Sequence, residues 1–509
     1  MREIKLTNSY LSAEKRFGLL IPIAVLWGFA ILLGILWILS DDETGNLFKE
    51  YYLLPYSFLT GVIILAPSLY LYFQGKFDMF HPLVYAAWSY CFPAFVGGGV
   101  IMAFKWNDQH FFAYIEDQEV TLPITLGYVA IGFIGLTIGF FLPVASFIGG
   151  KLNRFMPNWD WKPEQVWSPG VLLILAGIAF NLIGFINGLI GFQRSATVEI
   201  FDGVLFFLII LYSQGNILLW LGIFQSKKRN TRFFIILLSL LVLIPLRSAM
   251  LGSRSGLLVS IIPIIMAFLY SGRRLRWQQG VVIGAVLTVA IFVGIMYGTA
   301  FRNIKGSEAR MDAGDYAGQV LATVEYLNTN DPSETLQASF IALAERIDNL
   351  SALAVVVSNY EKLAQFEEAY GLENNIVNDA LTSFIPRFIW ADKPHTSDAR
   401  AYSELYFNYG DNSFAVTPFG DLLRNFGPIG VPLGMMVLGF YLRIIYFLFV
   451  ENGQNQIWRK VAYFPLLTIV SYEAFYATIF PSIIRVTIVL IISLWIANLI
   501  IKVRRGKNG

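Results

Sequence analysis

The chain has 509 residues, of which 56% are hydrophobic and only 14% charged, with a formal net charge of +2. A soluble domain carries about 25% charged residues, so this composition excludes an ordinary soluble enzyme and points to an all-α polytopic membrane protein. The single cysteine, Cys91, excludes an intrachain disulfide framework, and three histidines (His81, His110 and His395) argue against a multi-histidine metal centre.

The N-terminal sequence MREIKL…EKRFGLLIPIAVLWGFAILLGILWIL places charges before an apolar run of roughly 23 residues. A signal-peptide core is about 7–15 residues; the run reads as a retained first span. Further apolar windows lie near 54–73, 82–104, 121–148, 168–191, 200–224, 232–246, 255–271, 279–300, 427–450, 460–479 and 481–500. With the first span near 17–39 they predict about twelve transmembrane helices, the seventh and eighth short. Lysine and arginine concentrate in alternate loops, at 2–16, 76, 151–162, 227–232, 273–276, 459–460 and 502–507. The opposite loops carry fewer cations and the acidic stretches DDETG (41–45) and YIEDQE (114–119). That asymmetry predicts cytoplasmic N- and C-termini.

Three regions follow: spans one to nine in 1–300, an extracytoplasmic loop domain in 301–426, and the last three spans with a cytoplasmic tail in 427–509. The loop is too long for a passive connector. Its segment 333–363 reads as one helix with Leu336, Phe340, Leu343, Ile347 and Leu350 on one face. Segment 374–384 reads as a shorter helix ended by Pro386, and 397–409 as a third with Ser397 or Thr396 as its cap. The turn FIPRFIWADKP (384–394) lies between the last two, stiffened by Pro386 and Pro394.

Arginines dominate this face: Arg247 and Arg254 around the flexible GSRSG (252–256), then Arg302, Arg346, Arg387, Arg400 and Arg424. A guanidinium fork matches phosphate and stays charged at any working pH. Headgroup or loop-acid pairing is the competing reading for each. General-base candidates are Glu345, Asp348, Asp392, Asp398, Glu404, Asp421 and His395, each also a candidate cap or solvated charge. Trp390, Tyr402, Tyr406, Phe407, Tyr409, Phe414 and Phe419 supply rings for stacking on sugar faces or for a loop core. Glu473 and Arg485, brought to similar depth by a turn near Pro481, read as a buried pair; Arg443 reads as a snorkelling cation.

GSRSG (252–256), IPRFIWADKP (385–394) and TPFGDLLRNFGPIG (417–430) occur in that order, the last just ahead of a transmembrane run. With about twelve spans and one large outer loop, the chain resembles the oligosaccharide repeat-unit polymerases of the Wzy type. The resemblance covers the architecture of the whole chain and its motifs fall in 250–430, the P-R-x-x-W-x-x-K-P string being the most specific. It implies a membrane-embedded glycosyltransferase that joins oligosaccharide units carried on undecaprenyl pyrophosphate into surface polysaccharide (O-antigen, capsule or exopolysaccharide), at the outer face of a bacterial cytoplasmic membrane. No metal, nucleotide sugar or other cofactor is expected. Partners would be the lipid-linked oligosaccharide, membrane lipids, and a flippase and chain-length regulator of the same pathway, with no nucleic acid. On that reading Arg247, Arg254, Arg387, Lys393 and Arg424 hold the pyrophosphate, Trp390 and Tyr402 the sugar, and His395, Asp392 or Glu345 serves the acceptor hydroxyl. An O-antigen ligase and a polysaccharide-intermediate flippase are the alternatives.

Overall fold

The computed structural model describes residues 51–107, 110–186, 208–226, 231–251, 256–272, 277–305, 313–329, 332–382, 397–410, 413–453 and 456–507, with scattered positions in 27–34, 204–205 and 385–393. Helices make up its regular structure, and no strand occurs among the described residues. In chain order they are α1 (Leu53–Phe73), α2 (Pro82–Ala103), α3 (Gln118–Phe141), α4 (Pro143–Asn153), α5 (Trp167–Ile186), α6 (Ile210–Gln225), α7 (Thr231–Leu251), α8 (Gly256–Tyr270) and α9 (Trp277–Lys305). Then come α10 (Ala313–Thr329), α11 (Pro332–Ile347), α12 (Leu350–Leu363), α13 (Asn375–Thr382), α14 (Ala399–Phe407), α15 (Pro418–Tyr446), α16 (Ile457–Thr468) and α17 (Tyr476–Lys507).

Among the described residues, 6 helices are long and apolar enough to cross a membrane: α1, α2, α3, α5, α15 with its extension to Glu451, and α17. Their surfaces fit a lipid environment. On α3, Leu122, Leu126, Val129, Phe133, Leu136 and Phe140 are buried, while Ile124, Ile131, Ile134 and Ile138 are exposed. Apolar side chains thus cover both faces, as hydrocarbon outside and core inside require. The first predicted span lies largely outside the described residues, although Trp27 donates from Nε1 to the Val62 carbonyl of α1 at 3.0 Å.

Several boundaries follow directly from local chemistry. His81 caps α2, its Nδ1 accepting from the Leu83 N–H at 3.3 Å, with Pro82 at the first helical position. The middle of α2, Ala87–Gly97, is π-helical around Pro93, which supplies no N–H. At Leu142 the chain is extended, and Pro143 restarts it as α4.

The centre of the molecule is the packing of α3 against α15. A Cβ on Gly139 would overlap the Met436 carbonyl, and one on Gly439 the Leu136 carbonyl. The glycines let the two backbones meet where any larger residue would hold them apart. Into this pair wedges α12, whose Leu350, Leu353, Val355 and Val356 are at most 1% exposed. It packs on α2, α3, α14 and α15. The long polar region therefore roots itself among the spans.

Three expectations change. The segment 333–363 is two helices, not one. The chain breaks at Asp348–Asn349, where Asp348 accepts the Ser351 N–H (3.1 Å) and the Asn107 side chain (2.7 Å). An aspartate three residues before an N–H competes with the helix and starts a new one. The cap of α14 is Asp398, accepting from the Arg400 N–H at 2.8 Å. The last two predicted spans do not meet at Pro481, which lies inside α17. Instead α16 stops after 12 residues, about 18 Å of helix against a hydrocarbon core of about 30 Å. Residues 470–475 are non-helical and lead into α17.

Candidate functional site

Thr417 begins the site. It sits at φ 59° and its hydroxyl accepts the Gly420 N–H at 3.2 Å, with Pro418 at the first helical position. This cap starts α15 ahead of its kink and sets Asp421, Arg424 and Asn425 at i, i+3 and i+4, on one face. The Arg424 side chain is fully buried. Its Nη1 donates to Glu367 (2.6 Å) and its Nη2 to Asp421 (2.8 Å) and the Asn375 carbonyl oxygen (3.3 Å). Tyr406 donates to the same Glu367 oxygen at 2.8 Å. Asn375 at the start of α13 donates to Asp421 (3.1 Å) and Ser397 (2.9 Å), and Ser397 donates to Asp379 (2.6 Å). The rings of Tyr402, Tyr406 and Phe475 surround the guanidinium at about 6 Å.

The charge balance is informative. Glu367 and Asp421 face the single positive charge of Arg424, leaving one formal negative charge in a buried place. The second Asp421 oxygen accepts the Ala477 N–H at 3.0 Å, in the first turn of α17. A helix N-terminus carries about half a positive charge and offsets part of that excess. The Arg424 network thus joins the turn after α12 to α13, α15 and α17, and Arg424 is occupied by carboxylates; only its Nε is buried without a partner.

Beside this network Arg346 donates to Glu473 at 2.6 Å, across the α16–α17 break. Glu473 therefore has Arg346 for a partner, where Arg485 was expected. The Tyr402 and Tyr90 hydroxyls are buried without partners. Burial pushes the phenols of Tyr402 and Tyr406 well above their usual range, with Glu367 adding to the effect on Tyr406. Both keep their protons at any working pH.

The sequence-predicted residues divide sharply. Tyr402 has its ring sealed at 0% exposure, packed edge-on or tilted against Tyr406, Phe407 and Phe475, so it contributes to the core and offers no face to a sugar. Phe407, Phe414 and Phe111 form a further ring cluster under the loop. Trp390 remains 38% exposed. Lys393 is buried and its Nζ donates to the carbonyls of Thr382 (2.8 Å) and Ile385 (3.4 Å), closing the C-terminal end of α13. Glu345 is exposed in the last turn of α11. Burial raises the Asp348 carboxyl above the usual carboxylate range. Arg254, Arg387, Asp392 and His395 lie outside the described residues.

Arg247, near the C-terminal end of α7, is different again. Its guanidinium lies 4.4 Å from the Tyr212 ring centre, its Nε is buried without a partner, and no carboxylate is within ion-pair distance among the described residues. Reading the sequence missed Glu367, Asn375 and Asn425, and took Tyr406 only as a ring for stacking or for the loop core. Glu367, Asn375 and Tyr406 lie outside the quoted motifs, and only the fold brings them to Arg424. The acid at i−3 of Arg424 was the one local signal.

Among the described residues no group of three or more His, Cys, Asp or Glu side chains is placed to hold a metal ion. No curated protein and no solved structure matches the chain. Residues 175–501 match the family model described as a domain of unknown function, DUF8712. That match takes in more than half of the 509 residues and runs from α5 through the Arg424 network into α17, so the chain belongs to the DUF8712 family.

Proposed function

We propose that the protein is a membrane-embedded glycosyltransferase that joins lipid-pyrophosphate-linked oligosaccharide units into a surface polysaccharide at the outer face of a bacterial cytoplasmic membrane. The full chain then crosses the membrane about twelve times with both termini inside, and 301–426 forms the outer domain. The observation that carries the reading is Arg247. Its half-buried guanidinium cannot shed its charge, and no carboxylate among the described residues pairs with it. Beside it runs the Gly- and Ser-rich stretch 252–256, through which a phosphate could approach the backbone closely. In this reading a pyrophosphate leaving group is the anion that meets it, and a fixed cation offsets the charge that develops as the glycosidic bond breaks.

In this reading Arg424 and Lys393 change role. Both hold backbone and carboxylates in place, and so position the turn that carries Arg387, Asp392 and His395. Direct contact with pyrophosphate falls to Arg247, Arg254 and Arg387, and the acceptor hydroxyl to His395, Asp392 or Glu345. Deletion of the gene and analysis of the surface glycan tests the proposal. Single repeat units on the cell surface are the expected result. Long polymer left on the lipid carrier would indicate a ligase, and loss of all exported glycan a flippase.

A further inference from the structure

A buried guanidinium without an acid partner among the described residues lies at the opposite end of α15, at the start of α16. Arg459 is 5% exposed, yet no carboxylate among the described residues is within ion-pair distance. Its Nη1 donates to two neutral acceptors, Asn153 Oδ1 and the Leu448 carbonyl, each at 2.7 Å. Its Nε is buried without a partner. The nearby acid, Glu451, is held by Arg443 at 2.7 Å.

Two further features point the same way. The adjacent Trp458 has its Nε1 buried without a partner, and its ring lies 5.3 Å from the Arg459 guanidinium. Gln456, the cap residue of α16, gives its helix no side-chain acceptor. The first-turn N–H groups are therefore left to another acceptor, at a helix end that favours an anion. Gln456 donates from Nε2 to Asn158 at 2.6 Å, while its Oε1 has no partner.

We infer that Arg459 and Trp458 form a binding site for the phosphate of an anionic, hydroxylated phospholipid headgroup. The guanidinium and indole N–H groups donate to the phosphate oxygens, and Gln456 Oε1 accepts from a headgroup hydroxyl. The surroundings select a lipid over a free ion. Asn153, which touches Arg459, ends α4, and α4 with the residues after it exposes Phe147 (62%), Leu152 (43%) and Phe155 (86%) beside the exposed cations Lys151 and Arg154. This is an apolar surface for acyl chains next to positive charge, at the end where the α3 and α15 spans finish. By lysine and arginine distribution it is the cytoplasmic end. The inference stands apart from the glycosyltransferase reading.

The test uses the full-length protein, purified and delipidated in neutral detergent. Native mass spectrometry measures retention of phosphatidylglycerol and of phosphatidylcholine, and thermal unfolding measures stabilisation by each lipid and by inorganic phosphate. Phosphatidylglycerol should be retained preferentially and raise Tm. Arg459→Gln and Trp458→Phe should each weaken that retention by about tenfold, the scale of one charge-assisted hydrogen bond. Trp458→Phe keeps the ring and decides the matter if Arg459→Gln fails to fold. Equal retention of the two lipids, undiminished retention in Trp458→Phe, or equal stabilisation by inorganic phosphate would overturn the assignment.

Discussion

Arg424 shows how one side chain can matter without meeting a substrate. Its guanidinium is buried between Glu367 and Asp421 and also reaches Asn375. Removing a buried ion-pair partner leaves the other charges uncompensated and costs about 3–5 kcal/mol. Arg424→Ala should therefore lower the unfolding temperature or the yield of folded protein. Arg424→Lys should recover only part of it, because an ammonium cannot serve two carboxylates and an amide in one plane. Arg247 makes the contrast. Arg247→Lys should fold normally but lose roughly a hundredfold in transfer rate if its fork meets the developing phosphate charge; the check is turnover of a lipid-linked repeat unit beside a thermal melt.

His81 titrates in the opposite sense from its neighbour Asp78. Burial, with Arg443 adding, holds the His81 imidazole down at about 3, and its neutral Nδ1 caps α2. A depressed folded-state value contributes stability that is present above the unfolded value of about 6.5 and lost as pH falls toward the folded one. Between pH 7 and pH 5 this amounts to about 2 kcal/mol. Asp78 accepts from Tyr270 (2.8 Å) and Tyr446 (3.3 Å), and burial raises its carboxyl. Its contribution is therefore greatest below about 3.9 and is lost as pH rises through the folded value. Melting curves at pH 7 and pH 5 should separate the two. His81→Asn keeps a capping acceptor and should remove the acid-side loss, leaving the Asp78 trend.

At the scale of elements, α15 is two helices joined at Gly427, where φ is 67° and ψ −167°. Nothing lies within 4 Å of a Cβ built there, so space is not the constraint. The backbone angles are, because they belong to a region essentially reserved for glycine. Gly427→Ala should cost about 1–3 kcal/mol and turn the first part of α15, with Asp421, Arg424 and Asn425, away from α13. A fall in unfolding temperature together with freer hydrogen exchange in Asn375–Thr382 would report that rotation. A Gly427→Ala protein with unchanged protection there would mean the network holds without the kink. The wedge α12 gives a second element-level constraint: its apolar run packs among spans, so the loop domain and the membrane bundle should unfold together.

Across the whole molecule, the apolar patterning is legible in the chain itself. Long low-charge runs cannot be soluble helices, and backbone groups in hydrocarbon must be satisfied within the segment. That logic is sufficient for the helices α1, α2, α3, α5 and α15, and local periodicity for the helices near 374–384 and 397–409. It fails at 460–500, where a short helix, a break and a long helix replace two spans. Hydropathy reads composition and is blind to a break whose polar groups are satisfied by neighbours. Periodicity fails at Asp348, where a side-chain acceptor overrides a continuous apolar stripe.

For the site, sequence alone determined which residue types were available: arginines that stay charged, acids and aromatic rings in a region too polar for the lipid core. Which arginine is neutralised was decided by tertiary structure. Glu367 and Asn375 lie 57 and 49 positions from Arg424 and reach it only through packing of α12 and α13 on α15. The same packing sealed Tyr402 and turned Lys393 onto the end of α13. It also left the Nε atoms of Arg247 and Arg459 buried, with no carboxylate at ion-pair distance among the described residues. The physical reason is that pairing and burial depend on distances between segments remote in the chain, whereas charge, hydropathy and periodicity are properties of the chain itself.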